Sequence, residues 1–565
     1  MRRYDRDEPS ADAARASERA HLARLAATAA RGGVSRRKAQ GAHYTPTALV
    51  EHLVSEVLVS DARVSDARVG RPARATPVRV VDPACGSGNF LVAVARRLAD
   101  GRSAAMADVL EHSVHGIDID PAALHLAREA LLALLPARTA PRRRAAVARA
   151  LEAHLVRGDA LSARAWRAFG SGPFDLVLGN PPFLGQLKRG TAASRTRART
   201  VARASAGAVK RYADTSAAFL LRGLDALGPG GRLGFVMPLS FLAAGDGKAA
   251  RDAALERAEL RAVWAAEEGL FEGANVRVAA LVFERGRSRA VYAVRRAFGA
   301  AFRQLESTRV HPRIGDATWS PLLADAFGAP MPALEMHGGA TIGSIAHATA
   351  DFRDQYYGLR GALREDARAR IPLVTTKHID LARNAWGECD VRILGERMQH
   401  PAIDLRALAE TPKMLAWIRA RRVPKILVAT QTKVIEAWVD VHGDAVPLVP
   451  LITVTPHDPR RLWRVAAAVA SPVVAARAVA LYAGSALSAS AIKLSARQLL
   501  AMPLPSDEHM WKQSGRALQR AATARSAKAR MRELRAFARA SCEAHGLRGC
   551  ALAEMLAFWE ARMGF

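Results

Sequence analysis

Between Gly41 and about Gly286 the chain alternates short apolar runs with amphipathic stretches, and this alternation is what most narrows its choice of fold. The runs at 78–81, 114–117, 154–156, 174–178, 233–237 and 278–283 have the length and apolar character of buried strands. Helical stretches lie between most of them, and strand–helix–strand repeats build a doubly wound, mostly parallel sheet with helices on both faces. The fold class expected is therefore α/β and Rossmann-like. The last two runs, around Phe235 and Leu281, are expected to form an antiparallel edge pair.

Past about residue 290 the alternation fades. Short β-like runs recur near Leu373 and at 426–429, 438–441 and 451–454, and Ala-rich helices follow around 461–488. This gives an expected organisation of five parts. Residues 1–40 form a helical segment, 41–290 the α/β domain, 291–330 a linker, 331–508 a second, α+β domain, and 509–565 one or two Arg-rich helices. Residues 187–210, rich in Arg, Lys, Ser, Thr and Gly, read as a polar loop too long for a tight connection.

A formal net charge of +30 over 565 residues points to a polyanionic partner. The same bias would arise from the Arg- and Ala-rich coding of a high-GC genome, so charge alone leaves both explanations open. Cys85, Cys389, Cys542 and Cys550 have no metal-ligand spacing and suit a reducing compartment. The sequence has no uninterrupted apolar run of about 18 residues, and its first residues lack the apolar centre of a signal peptide. A cytoplasmic protein with no membrane partner is expected.

Two segments carry chemistry. The first is Asn180-Pro181-Pro182-Phe183, directly after the apolar run at 174–178. Two prolines stop a strand and remove two backbone donors, leaving an Asn at the carboxyl end of a strand, where open α/β sheets bind ligands. The Asn180 amide oxygen and the neighbouring carbonyl can both accept from one amino group, and Phe183 offers an aromatic face. The second is Asp82-Pro83-Ala84-Cys85-Gly86-Ser87-Gly88-Asn89-Phe90, a strand-to-helix turn. Gly86 and Gly88 permit a tight turn and close approach to a ligand. The third glycine of a dinucleotide fingerprint is missing, which counts against a pyrophosphate cofactor.

The next strand ends at Asp118, placed to accept both hydroxyls of a ribose, while Asp120-Pro121 reads as a helix N-cap and first turn. Asp159 closes the following strand. It is either a turn residue or an acceptor for an adenine amino group.

In combination these ordered motifs resemble those of S-adenosylmethionine-dependent amino-methyltransferases acting on DNA. Gly41-Ala42-His43-Tyr44-Thr45-Pro46 resembles the segment that precedes the glycine motif in the gamma-class arrangement, with the catalytic domain first and the target-recognition domain last. The resemblance covers about 41–290 and is closest to N6-adenine enzymes of type II and type IIG restriction-modification systems. It implies that Asn180, Pro181, Pro182 and Phe183 form the catalytic motif, with Phe271 as a second aromatic against a flipped base. It implies S-adenosyl-L-methionine as cofactor, held by Tyr44, Thr45, Pro46, Asp82, Ala84, Gly86, Gly88, Asp118, Asp159 and Phe219, and it implies no metal. Phe219, with Leu220 and Leu224, also makes an ordinary helix face. Phe183 stands where Tyr is common, and keeps the stacking face without the hydroxyl.

The partner implied is double-stranded DNA, together with a separate restriction endonuclease or defence-system subunit. Residues 331–508 take the target-recognition role by position. Stretches such as Pro424-Lys425-Ile426-Leu427-Val428 resemble parts of such domains. Other readings remain at this point: an N4-cytosine or RNA amino-methyltransferase, or a DNA-binding defence component inactive without a partner. No Asp…Glu-x-Lys cluster marks a fused nuclease near the start of the chain, so modification without cleavage is expected.

Overall fold

The structure, a computed structural model, describes residues 45–58, 77–99, 103–183, 192–209, 214–266, 277–286, 293–308, 312–330, 332, 339–350, 353–368, 371–483 and 491–564. The expected helical segment 1–40 lies outside these residues. The chain divides into two compact units, Met1–Leu322 and Leu323–Phe565.

The first unit is organised on one nine-stranded sheet. Its strands are β1 (Val80–Asp82), β2 (Val114–Asp118), β3 (Leu155–Arg157), β4 (Phe174–Gly179), β5 (Leu227–Pro238), β6 (Ala258–Ala265), β7 (Val278–Arg285), β8 (Val294–Phe298) and β9 (Arg303–Thr308). The strand order is β3-β2-β1-β4-β5-β7-β6-β8-β9. β3, β2, β1, β4 and β5 run parallel. Val80, Val81, Val177 and Leu178 are wholly buried, as central strands covered on both faces must be.

Helices α1 (Thr47–Leu58), α2 (Asn89–Ala99), α3 (Ser103–His112), α4 (Pro121–Leu132), α5 (Pro141–His154), α6 (Ala192–Ala204), α7 (Thr215–Ala226) and α8 (Lys248–Arg257) accompany the sheet. One core cluster joins Leu49 and Leu53 of α1, Leu91 and Val94 of α2, Leu178 of β4 and Trp264 of β6. α1 passes so close to β5 that a Cβ at Gly234 would lie 2.4 Å from Val57 Cγ2.

The strand order reverses between β1 and β4. β2 and β3 extend one way from β1, and β4 and β5 the other. Loops leaving the carboxyl ends on either side diverge there and open a crevice. Asp82, Asp118 and Asn180 all stand at that edge.

Four expectations need correction. Phe235 and Leu281 are antiparallel partners, but β6, β8 and β9 lie beyond them, so the pair is internal to the sheet. Residues 291–330 are not a linker: β8 pairs with β6, β9 pairs with β8, and the compact unit runs on to Leu322. β6 went unrecognised because Ala258-Glu259-Leu260-Arg261 consists of strong helix formers and follows α8 with no glycine or proline between. Its burial on a half-covered sheet overrides that propensity. Lastly, the polar stretch 187–210 is not all loop, since α6 occupies Ala192–Ala204.

The second unit carries a four-stranded antiparallel sheet of β10 (Ala346–Ala350), β11 (Lys425–Val428), β12 (Ala437–Asp440) and β13 (Ile452–Pro456), in the order β10-β13-β11-β12. A buried ion pair ties β11 to β12, with Lys425 Nζ 2.5 Å from Asp440 Oδ2. Asp440 also accepts from the Gly443 and Ala445 amides, so the buried carboxylate is well supplied with donors. Helices α9 (Leu462–Val469), α10 (Pro472–Tyr482), α11 (Glu508–Ala522), α12 (Ala527–Ala544) and α13 (Gly549–Met563) also belong to the unit. The C-terminal stretch therefore holds three helices where one or two were expected. Among the described residues no single helix is long and apolar enough to cross a membrane.

Candidate active site

The strand β1 ends at Asp82, and the chain turns at once. Asp82 Oδ1 accepts from the Ala84 amide at 2.9 Å, and the Gly88 amide donates to Cys85 O at 2.8 Å. Gly86 has φ +53 and Gly88 φ +90, values that an L side chain rarely adopts. A Cβ at Gly88 would also press to 3.0 Å on Ala127 Cβ of α4. At Gly86 no described atom lies within 4 Å of where a Cβ would sit, so backbone faces open space there. The turn opens α2, whose first amides point toward the same edge.

β2 brings Asp118 to this turn. Its Oδ2 accepts from the Gly86 amide at 2.8 Å and its Oδ1 from the Asp120 amide at 2.9 Å. Each carboxylate oxygen has a further lone pair, so capacity to accept remains. Asp120 caps α4 through the Ala122 amide, with Pro121 in the first turn. Asp159 makes the turn after β3, where its Oδ1 accepts from the Leu161 amide at 3.0 Å.

β4 delivers Asn180 to the same edge. Asn180 Nδ2 donates to Thr45 Oγ1 at 2.9 Å. Thr45 is buried, just ahead of α1, and the Pro46 carbonyl accepts the Leu49 and Val50 amides that begin that helix. The contact fixes the amide plane. Asn180 Oδ1 is then buried with no hydrogen-bond partner among the described residues. A buried acceptor left unmatched costs about 1–3 kcal/mol.

Sequence reasoning missed Gly179. A Cβ there would lie 2.6 Å from Asp82 Oδ1. Only a glycine before Asn180 lets the β1 carboxyl lie against β4, and the signal was present in the run Leu178-Gly179-Asn180. It also missed Thr45 as the partner of Asn180, which no local pattern reveals across 135 positions.

The remaining candidates fall out as follows. Pro181 is buried, Pro182 is half-buried, and Phe183 is partly buried against the core of this unit. Phe219 is 5% exposed on α7, among buried Ala217, Ala218 and Leu220. Tyr44 and Phe271 lie outside the described residues.

Burial shapes the electrostatics. Desolvation raises the Asp82 carboxyl to about 8, partly opposed by the Ala84 amide, and the Asp118 charge raises it further. Asp82 is thus protonated at neutral pH. Asp118 is also raised, first by desolvation and against the pull of the Asp120 and Gly86 amides. Desolvation pushes the Cys85 thiol well above its usual range, which makes it an inert core group. His115, stacked 4.3 Å from His154, is lowered to about 4, chiefly by burial, and is neutral.

Residues 33–298 match the sequence family described as N-6 DNA Methylase. No curated protein matches the chain by sequence. Among solved structures, the type IIL restriction-modification enzyme MmeI, determined in complex with DNA, aligns over 94% of this chain and 80% of its own at 13% identity, with a TM-score of 0.62. At that identity the likeness concerns the fold. The type IIG restriction endonuclease BpuSI aligns over 94% of this chain and 67% of its own, also at 13% identity, with a TM-score of 0.40.

Proposed function

We propose that the chain, whose residues 33–298 match the N-6 DNA Methylase family, is an adenine-specific DNA methyltransferase that works through the Asn180 acceptor left without a partner among the described residues. The substrate is an adenine in double-stranded DNA, and the setting is a restriction-modification or phage-defence system, like that of the DNA-bound enzyme whose fold it shares. The observation that carries the assignment of the site is the buried Asn180 Oδ1 without a partner, its amide plane set by Thr45.

An adenine amine is a poor nucleophile because its lone pair is conjugated with the ring. Asn180 Oδ1 and the Pro181 carbonyl accept its two N–H hydrogens, which localises the lone pair on nitrogen. Both acceptors are fixed before the substrate arrives, so little reorganisation accompanies the chemistry. The site cannot be reached inside a duplex, and the base must be flipped out at a cost of a few kcal/mol. Stacking on an aromatic returns roughly 1–3 kcal/mol per base. Phe183 and Phe271 are assigned to that role.

The residues around Gly86 fit an S-adenosylmethionine cofactor. Open space faces the backbone of Gly86, and Asp118 keeps capacity to accept from two ribose hydroxyls. When bound, the cofactor supplies an electrophilic methyl group. Gly88, Ala84 and Asp82 shape the turn; Thr45 and Pro46 would help hold the cofactor, Asp159 would accept from its adenine amine, and Phe219 would back its ring, while Tyr44, assigned the same role by the family resemblance, lies outside the described residues. A protonated Asp82 adds no second negative charge beside Asp118.

The test is Asn180→Ala, followed by transfer of labelled methyl from S-adenosylmethionine to DNA and by cofactor and DNA binding. Loss of transfer with both bindings retained is expected. Near-normal transfer would remove Asn180 from the mechanism.

A further inference from the structure

The second unit holds a cleft of about 1110 Å³ with an arginine pair on its wall. The hairpin Val391–Ile393 with Glu396–Met398 turns Val391, Ile393 and Met398 into the core and leaves Arg392 and Arg397 exposed. These two arginines stand directly opposite each other in the ladder. Like charges in that relation are destabilising.

The neighbourhood relieves only one of them. Arg397 Nε donates to Asp390 Oδ2 at 2.7 Å, and Lys377 Nζ donates to the Asp390 carbonyl at 2.7 Å. Arg392 donates through Nε to Gly395 O at 3.2 Å and has no carboxylate in ion-pair reach among the described residues. Thr376, on the same wall, has a buried hydroxyl with no partner among those residues. Tyr357 is 57% exposed.

The hairpin is held in place at some strain. Leu394 has φ +51, a left-handed conformation unfavourable for a residue with a Cβ, and its amide donates to Tyr356 Oη at 2.8 Å. The cleft wall thus fixes a hairpin whose exposed face concentrates positive charge.

We propose that this cleft grips the phosphate backbone of the DNA substrate, with Arg392 donating to a phosphate oxygen. Lys377 and Arg397 add to the field, and the Tyr357 ring packs on a neighbouring deoxyribose. The inference rests on the reading of the chain as a DNA methyltransferase. It assigns to the second unit a phosphate contact carried by a named residue, and such contacts position the duplex without reading its sequence.

The test measures binding of the full chain to a fluorescent duplex of mixed sequence across a salt series, for the unaltered protein, Arg392→Gln and Arg392→Lys. Each phosphate neutralised contributes about 0.9 to the slope of log affinity against log salt. Arg392→Gln is expected to flatten the slope by about one and to weaken binding about tenfold. Arg392→Lys keeps the charge and should retain the slope, which a merely structural role would not require. Binding of S-adenosylmethionine alone should be unchanged in both variants. A steep slope in the unaltered protein that Arg392→Gln leaves intact overturns this inference and spares the enzymatic reading. A flat slope in the unaltered protein overturns both.

Discussion

The edge of β1, β2 and β4 and the hairpin cleft of the second unit solve different problems with different materials. The first is half-buried at a sheet edge, with Asp82 and Thr45 buried behind it. Its carboxyls are held by backbone amides, Gly86 and Gly88 adopt positive φ, and Asn180 Oδ1 is an acceptor with no partner among the described residues. The second is exposed, and Arg392 on its surface hairpin has no carboxylate in ion-pair reach among the described residues. Chemistry on a conjugated amine needs acceptors held in place before the substrate arrives, which groups packed into a core provide. Gripping a polyanion needs charge at reach, which long exposed side chains provide.

If this contrast is right, substitutions in the two places should fail differently. The largest effect is expected at the edge: Asn180→Ala should lower turnover by about a thousandfold or more, in the range lost when a preorganised electrostatic contact is removed. Its affinity for DNA should change less than twofold, on the order of experimental scatter. Arg392→Gln should show the converse, weaker DNA binding and near-normal turnover at saturating DNA. Paired measurements of turnover and DNA affinity check both, and a common loss in both variants would break the contrast.

Next in size is Gly179→Ala. The added methyl meets the Asp82 carboxyl, and overpacking of this kind costs about 1–3 kcal/mol. A lower thermal midpoint is expected by calorimetry, partly restored when Asp82→Ala is added, since the two sites share one contact. Thr45→Val keeps the volume and removes the acceptor for Asn180 Nδ2. Losing one hydrogen bond of about 1 kcal/mol should cut turnover roughly five- to tenfold, read in kcat with the DNA KM little changed.

A separate effect is expected in the pH dependence of stability. The folded carboxyl of Asp82 is raised from 3.8 to about 8. Between those values the folded state holds a proton that the unfolded state has lost, so stability falls as pH rises through that window. The contribution is complete below the unfolded value and gone above about 8. Asp82→Asn should remove this component, so that melting curves at pH 6 and 8.5 draw closer than in the unaltered protein.

How far the sequence revealed the molecule follows the same division. β1, β2 and β4 were legible because strands buried on both faces are continuous apolar runs. The strand end at Asn180 and the tight turn at Gly86 were legible because both depend on neighbours in the chain. β6 was not, because its alternation of Ala, Glu, Leu and Arg satisfies a helix until the sheet claims it. β8 and β9 were lost in an expected linker, since short mixed strands become strands only through their partners. Thr45 beside Asn180, and Arg392 opposite Arg397, are products of folding and pairing that no local run of residues announces.

The decisive observation is which atom receives the methyl group. Duplex DNA treated with the purified protein and methyl-labelled S-adenosylmethionine, then digested to nucleosides and separated, answers this directly. Label in N6-methyldeoxyadenosine is expected, and its absence from the product of Asn180→Ala. Label in N4-methyldeoxycytidine, or in no nucleoside while the cofactor is consumed, would contradict the account.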